Sequence, residues 1–147
     1  MSRLRRARER DVAELDALDR SLYTSDIVDA AEWRARLKRR TNEVWVAEDE
    51  DGLVCSLLLV HGKQNTRVEG IQVAKRVQGQ GWGRRLLRHA VRRAEALGKE
   101  RVTLEVASRN TRAEQVYASF GFKRRGSIPG YYEDGDSAIR MTYELAD

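Results

Sequence analysis

Apolar residues recur along this chain with two periods, and the switches between them mark out an order of elements. Val12, Leu15, Leu18 and Leu22 fall three or four residues apart, as on one face of a helix, and Ala30, Trp33 and Leu37 repeat that spacing. Asp11 followed by Glu14 has the form of a capping box at the start of the first helix. Val44 to Glu48 and Leu53 to Val60 are apolar runs of strand length, joined by acidic residues that end in Asp51-Gly52, a hairpin signal. Val68 to Val73 reads as another strand. Leu86, Leu87, Ala90, Val91, Ala94 and Leu97 then line one side of the longest helix, Gly83 to Leu97, which Gly98 stops. Val102 to Val106 is a strand and Thr111 to Phe120 a short helix ended by Gly121. Two last strands, near Phe122 to Arg125 and Ala138 to Leu145, flank a loop containing Pro129, Gly130, Tyr131 and Tyr132. With Leu4 to Arg8 as the first strand, the order is β-α-α-β-β-β-α-β-α-β-β. It predicts an α/β sandwich on a mixed sheet, with a right-handed crossover through Gly83 to Leu97.

Composition narrows the class. The 147 residues suit one domain spanning 1–147, and no repeat, low-complexity tract or linker divides them. Apolar residues make up 41% and charged residues 35%, the balance of a folded soluble protein. The longest apolar run, Leu53 to Val60, falls far short of the ~20 residues of a membrane span. Met1 to Arg10 is rich in arginine but has no apolar core, and Glu9, Asp11 and Glu14 interrupt it; it reads as a first strand rather than a targeting segment. Cys55 is the single cysteine and sits inside an apolar run, as a small core residue would. These features predict a cytoplasmic protein with no membrane contact. The net charge of +5 suits a polyanionic partner, either a nucleic acid or a phosphate-rich cofactor.

The segment that chooses between them is Gln78-Gly79-Gln80-Gly81-Trp82-Gly83, between a strand and the long helix. Its glycines allow a tight turn and close approach of a ligand, and the helix start offers unpaired N–H groups and the positive end of a dipole. Arg84 and Arg85 stand in the first turn, where the dipole disfavours cations unless an anion neutralises them. A Walker A loop is excluded, because residues 83–85 read Gly-Arg-Arg. A dinucleotide fingerprint is excluded too: Gly79 and Gly81 are not followed by glycine at 84, and no acidic ribose ligand stands at the right distance. Two arginine-rich stripes, Arg84, Arg85, Arg88, Arg92, Arg93 and Arg34, Arg36, Lys38, Arg39, Arg40, lack interleaved aromatics, which disfavours nucleic acid. One cysteine and two separated histidines, His61 and His89, form no metal cluster, and His89 falls on the charged, solvated face of the long helix.

Gln78-x-x-Gly81-x-Gly83 resembles the acyl-CoA pyrophosphate loop of the GNAT acetyltransferases. Leu104-Glu105-Val106, Asn110, Ala113, Tyr117 and Phe120-Gly121-Phe122 are spaced as in that superfamily, and the segment from Gly130-Tyr131-Tyr132 to Met141 is similar to the RimI-type enzymes that acetylate protein N-termini. The likeness covers nearly the whole chain. It implies a mixed, mostly antiparallel sheet of about seven strands with helices on both faces. It also implies acetyl-CoA as acyl donor, a primary amine as acceptor, and a monomer or homodimer. Gly130 replaces the usual Asn, and Lys75 and Val77 replace the usual Pro and aromatic residue before the loop. Glu69-Gly70 resembles the polyamine and aminoglycoside acetyltransferases instead, so a protein N-terminus and a small amine both stay open.

The resemblance assigns roles. Ile71, Gln72, Val73, Gln78, Gly79, Gln80, Gly81, Trp82, Gly83 and Arg84 would hold the donor, with backbone amides near Val73 polarising the acetyl carbonyl. Asn110 would hold the pantetheine arm, or else cap the helix beginning at Thr111. Tyr117 stands at the general-acid position, or is a core tyrosine. Glu105, turned by strand alternation away from Leu104 and Val106, is a candidate base, with Glu69 its rival. Tyr131 and Tyr132 would contact the acceptor, pointing to opposite sides of an extended segment, with Glu133, Asp134 and Asp136 adding to an acidic mouth. A catalytically silent acyl-CoA sensor is the third reading, against which Glu105 and Tyr117 count.

Overall fold

The structure, a computed structural model, describes residues 3–23 and 28–145, so the two ends of the expected 1–147 domain lie outside it. The period-2 runs become strands and the period-3.6 runs helices. In chain order these are β1 (Arg5–Arg6), α1 (Val12–Leu22), α2 (Ala30–Lys38), β2 (Asn42–Asp49), β3 (Gly52–His61), β4 (Asn65–Val73), α3 (Trp82–Ala96), β5 (Arg101–Ala107), α4 (Thr111–Phe120), β6 (Lys123–Ile128) and β7 (Ala138–Glu144). They form one seven-stranded sheet in the order β1-β2-β3-β4-β5-β7-β6. Every neighbouring pair is antiparallel except β4 and β5, which run parallel because α3 carries the chain from one to the other.

Alternation along β2 and β3 divides the apolar residues between two cores. Val44, Val46 and Leu58 pack with Val12, Leu15 and Trp33 beneath α1 and α2. Ala47, Leu57 and Leu59 join Leu86, Leu87, Ala90 and Ala94 of α3, and this second core runs on through Val102, Leu104, Val106, Ile139 and Met141. Helices α1 and α2 make their main strand contacts with β2, β3 and β4, and among the described residues the same face of β5, β7 and β6 carries no comparable packing from them.

Some local expectations change. Asp11 does not cap α1 with its side chain; its carboxylate closes the short turn before it by receiving Arg8 N–H at 2.7 Å and takes a bidentate pair from Arg5, both contacts at 2.9 Å. Glu14 instead accepts Leu53 N–H at 2.9 Å, pinning α1 to the start of β3. His89 is half-buried rather than solvated: its ring packs edge-on against Trp45 with centroids 4.2 Å apart. A broad indole on β2 draws that face of α3 onto the sheet. His61, read as isolated, places Nδ1 2.8 Å from Thr66 Oγ1 and Nε2 3.2 Å from Glu43 Oε2.

Candidate active site

Strands β4 and β5 are paired only from Asn65↔Arg101 to Val68↔Leu104, although they continue to Val73 and Ala107. The reason lies on the other side of β4, where Leu59 pairs with Val68 but Leu58 pairs with Gly70. Glu69 is the extra residue of that bulge. A bulge bends and twists its strand, and here it parts β4 from β5. The parting opens a cleft of about 620 Å³, lined by Gly70, Ile71 and Gln72 on one side and by Glu105, Val106 and Ala107 on the other.

At the end of β4 the chain makes a short turn, Lys75–Val77, and enters the glycine loop. Gln78 Nε2 donates to Val73 O at 3.0 Å, tying the loop back to the strand. Gly79 and Gly81 hold φ of 83° and 88°, and Gly81 is the N-cap of α3. The first intrahelical bond is Arg85 N–H to Gly81 O, so the amides of Trp82, Gly83 and Arg84 have no acceptor within the helix. A Cβ built on Gly79, Gly81 or Gly83 would meet nothing within 4 Å. The approach to these amides is therefore open, and the dipole end of a 15-residue helix lies behind it, which fits a pyrophosphate. The neighbouring arginines are placed differently from expectation. Arg84 donates to Ser119 Oγ on α4, and the Arg85 guanidinium lies 4.5 Å from the Trp82 ring centroid.

The floor of the cleft is polar and closed. Gln72, buried, donates to Asp19 of α1 and accepts from Ser56 of β3, so only its backbone can serve a donor molecule. Asp19 also receives Val28 N–H at 2.8 Å, and burial raises its pKa against these hydrogen bonds. The Tyr23 hydroxyl lies 3.5 Å from Ile71 O. Asn110 caps α4, accepting Ala113 N–H at 3.1 Å, and its amide group remains on the cleft wall. Tyr117 reaches the same cleft from α4, with its ring edge-on to Phe122. Burial pushes the Tyr117 hydroxyl well above the ordinary phenol value, and the neighbouring Tyr23 and Tyr132 add to the effect. The hydroxyl therefore keeps its proton, as a donor to a leaving thiolate must.

Beyond the bulge the cleft opens into a smaller cavity of about 370 Å³. Glu69 and Glu105 line both spaces, as do Arg36 and Tyr132. The two glutamates are placed differently. Glu105 is buried, with Oε1 against Arg67 and Oε2 3.8 Å from Arg140. Glu69 is exposed at the bulge and makes no hydrogen bond or ion pair of its own among the described residues. Arg67 also donates to the Tyr131 hydroxyl at 2.8 Å. Tyr131 and Tyr132 do not point to opposite sides: their rings meet edge-on with centroids 5.0 Å apart, because residues 129–137 form turns rather than a strand. Asp136 does not add to an acidic mouth. It is held by Ser108 Oγ and by the Arg109 backbone and guanidinium, and these hydrogen bonds lower its pKa to about 2 against the opposing effect of burial. Asp134 likewise pairs with Arg109 at 3.4 Å.

Sequence reasoning missed Asp19, Tyr23, Arg36 and Arg67. Arg67 was within reach of it, since period 2 places it on the face of Asn65 and away from buried Val68. The other three come from α1, its end and α2, and only packing brings them to β4.

The profile of the acetyltransferase (GNAT) domain family matches residues 11–145 of this chain. No curated protein sequence matches it. Among solved structures, the chain is similar to the ribosomal-protein-S18-alanine N-acetyltransferase from Escherichia coli, with TM-score 0.89 and 20% identity over 100% of this chain and 96% of that one. It is similar to Ard1 from Thermoplasma volcanium, with TM-score 0.90 and 18% identity over 99% of each chain. A spermidine N-acetyltransferase variant from Vibrio cholerae gives TM-score 0.83 and 19% identity over 97% of this chain and 93% of that one.

Proposed function

Because the chain belongs to the GNAT acetyltransferase family and so moves acetyl groups from acetyl-CoA to amines, we propose that its acceptor is the α-amine of a protein or peptide N-terminus. The observation that carries this reading is the Tyr131–Tyr132 pair. It stands at the rim of the acceptor mouth, held by Arg67, with two carboxylates beneath it at the point where β4 and β5 part. The exposed Tyr131 ring, with Tyr132 edge-on to it, suits the backbone of an extended chain. The likeness of the segment 130–141 to the RimI-type pattern supports the same acceptor.

The donor supplies the acetyl group as a thioester, with its pyrophosphate on the amides of Gly79 to Arg84 and its pantetheine along Ile71, Gln72, Val73 and Asn110. The chain's own residues do the rest. Glu69, exposed at the bulge, takes a proton from the incoming ammonium, directly or through water. Glu105, paired with Arg67 and Arg140, is a positioning group that keeps Arg67 on Tyr131. The neutral nitrogen then forms its bond to the acetyl carbon as the C–S bond breaks, and the excess proton left on that nitrogen passes to water. Tyr117 hands its proton to the departing thiolate and recovers one from solvent.

A small-amine acceptor is the second reading, favoured by the accessible Glu69 that a polyamine could pair with directly. Peptides with free and blocked N-termini and spermidine, assayed by release of free CoA thiol, separate the two. Peptide turnover that drops in Tyr132→Phe as well as in Glu69→Gln supports the N-terminal reading. Spermidine turnover without any peptide turnover, lost in Glu69→Gln alone, sinks it.

A further inference from the structure

Next to the acceptor mouth lies a second open surface that the reaction does not need. The face of β5, β7 and β6 that α1 and α2 leave uncovered forms a groove of about 540 Å³, lined by Arg67, Arg101, Arg125 and Arg140 with one carboxylate, Glu105. Cross-strand register explains the grouping, because Glu105 stands opposite Arg140, Thr103 opposite Thr142 and Arg101 opposite Glu144, all on one face. Arg67 and Glu105 line this groove and the acceptor mouth alike, so the two spaces adjoin at that ion pair. Charge does not cancel along it. Glu105 answers Arg67 and Arg140 together, while Arg101 is neutralised by Glu144 at 3.0 Å. Arg125, exposed on the edge strand, hydrogen-bonds only to Thr142 Oγ1 at 3.1 Å and has no carboxylate partner among the described residues. The Arg140 side chain is 60% exposed. Arg101 also meets Glu100 at 3.8 Å, so the positive charge left unanswered lies at Arg125 and at Arg140, which shares Glu105 with Arg67.

We propose that this groove receives the segment following the acetylated residue, and that it selects acceptors with Asp or Glu in that segment. The inference rests on the N-terminal reading above. From Arg67 on β4 to Arg125 on β6 is three inter-strand steps, roughly 14 Å at ~4.8 Å each, and an extended peptide at ~3.3 Å per residue covers that in about four residues. The selected acidic positions are therefore about the second to the fifth of the acceptor. The arginines act at partly exposed sites, so their effect weakens with salt.

The test uses peptides that share an N-terminal residue and carry Glu, Gln or Lys at positions two to five, with CoA release measured at low and high ionic strength. The expected order of kcat/KM is Glu over Gln over Lys, with Glu about tenfold above Gln at low salt and the gap narrowing at high salt, as two or three exposed charge pairs imply. In Arg125→Glu the Glu-to-Gln ratio should fall severalfold while the KM for acetyl-CoA holds, since Arg125 lies on β6, away from the glycine loop. A melting temperature near wild type confirms folding of that variant, and Arg125→Gln gives a milder step in the same direction. Peptides acetylated at equal rates whatever their charge would overturn the groove and leave the N-terminal reading standing. Turnover of spermidine with none of any peptide would overturn both.

Discussion

Gly81→Ala puts the phosphate loop to a quantitative trial. Gly81 holds φ of +88°, and a Cβ there would meet nothing within 4 Å. The folded protein therefore bears only the backbone cost of a left-handed L-residue, about 1–2 kcal/mol. For a domain of this size that corresponds to a fall in Tm of roughly 2–8 °C. The effect on the donor is separate. The new methyl points into the open space through which a pyrophosphate reaches the amides of Trp82 and Gly83, and relaxing φ would re-aim those amides. Losing one charge-assisted hydrogen bond costs ~1.5–3 kcal/mol, so the KM for acetyl-CoA should rise about 10- to 100-fold. With donor saturating, kcat should stay near wild type, because the loop does not touch the reacting atoms. Gly98→Ala supplies the comparison. Gly98 also has positive φ, +70°, with nothing within 4 Å, but follows the far end of α3. It should lose similar stability and leave the KM untouched. Steady-state CoA release against acetyl-CoA concentration, together with thermal melts of both variants, reads out both effects. Equal KM values in folded Gly81→Ala and Gly98→Ala would refute the loop as the pyrophosphate site.

Three other perturbations follow from the same structure. Tyr117→Phe should lower kcat about 10- to 1000-fold with little change in Tm; since burial raises the Tyr117 pKa above 10.0, wild-type kcat should show no tyrosine-linked fall below that pH. Burial opposes ionisation of Glu43, yet hydrogen bonds from Arg93 and Trp45, helped by His61, hold its pKa at about 2, below the ordinary 4.5. A depressed carboxylate pKa stabilises the fold above pH 4.5 and loses that contribution as pH falls toward 2, an effect on the order of 3 kcal/mol. Glu43→Gln should flatten that stretch of the Tm–pH curve, and an unaltered slope would deny Glu43 the role. Cys55 is buried and its thiol is pushed up to about 12, so iodoacetamide should label it only under denaturing conditions; rapid labelling of native protein would contradict its place in the core.

What local chemistry alone can dictate was already present in the sequence. Helix faces, the element order, the hairpin at Asp51-Gly52 and the glycine loop each depend on neighbours within a few residues and appear where period and turn chemistry place them; strand ends do not, since β1 shrinks to Arg5–Arg6 and β4 starts at Asn65 rather than Val68. Glu105 turning away from Leu104 and Val106 follows from strand alternation, and Tyr117 on α4 from helical spacing. The family pattern in residues 78–83 rests on equally local needs: a tight turn, small residues and a helix start. Contacts between distant segments were not legible in this way. Spacing makes Asp11 a cap for α1 and His89 a solvated residue, but Arg5 and the turn before α1 claim the Asp11 carboxylate and β2 brings Trp45 against His89. The cleft itself exists because β4 carries a bulge at Glu69, a fact of register with β3 that no property of Glu69 announces. The separation of Glu69 from Glu105 into an open and a clamped carboxylate is decided by Arg67 and Arg140, from β4 and β7, the two strands that flank β5. Periodicity assigns a side chain to a face, but its partners are set by which segments the sheet order β1-β2-β3-β4-β5-β7-β6 makes neighbours, and that order is a property of the whole chain.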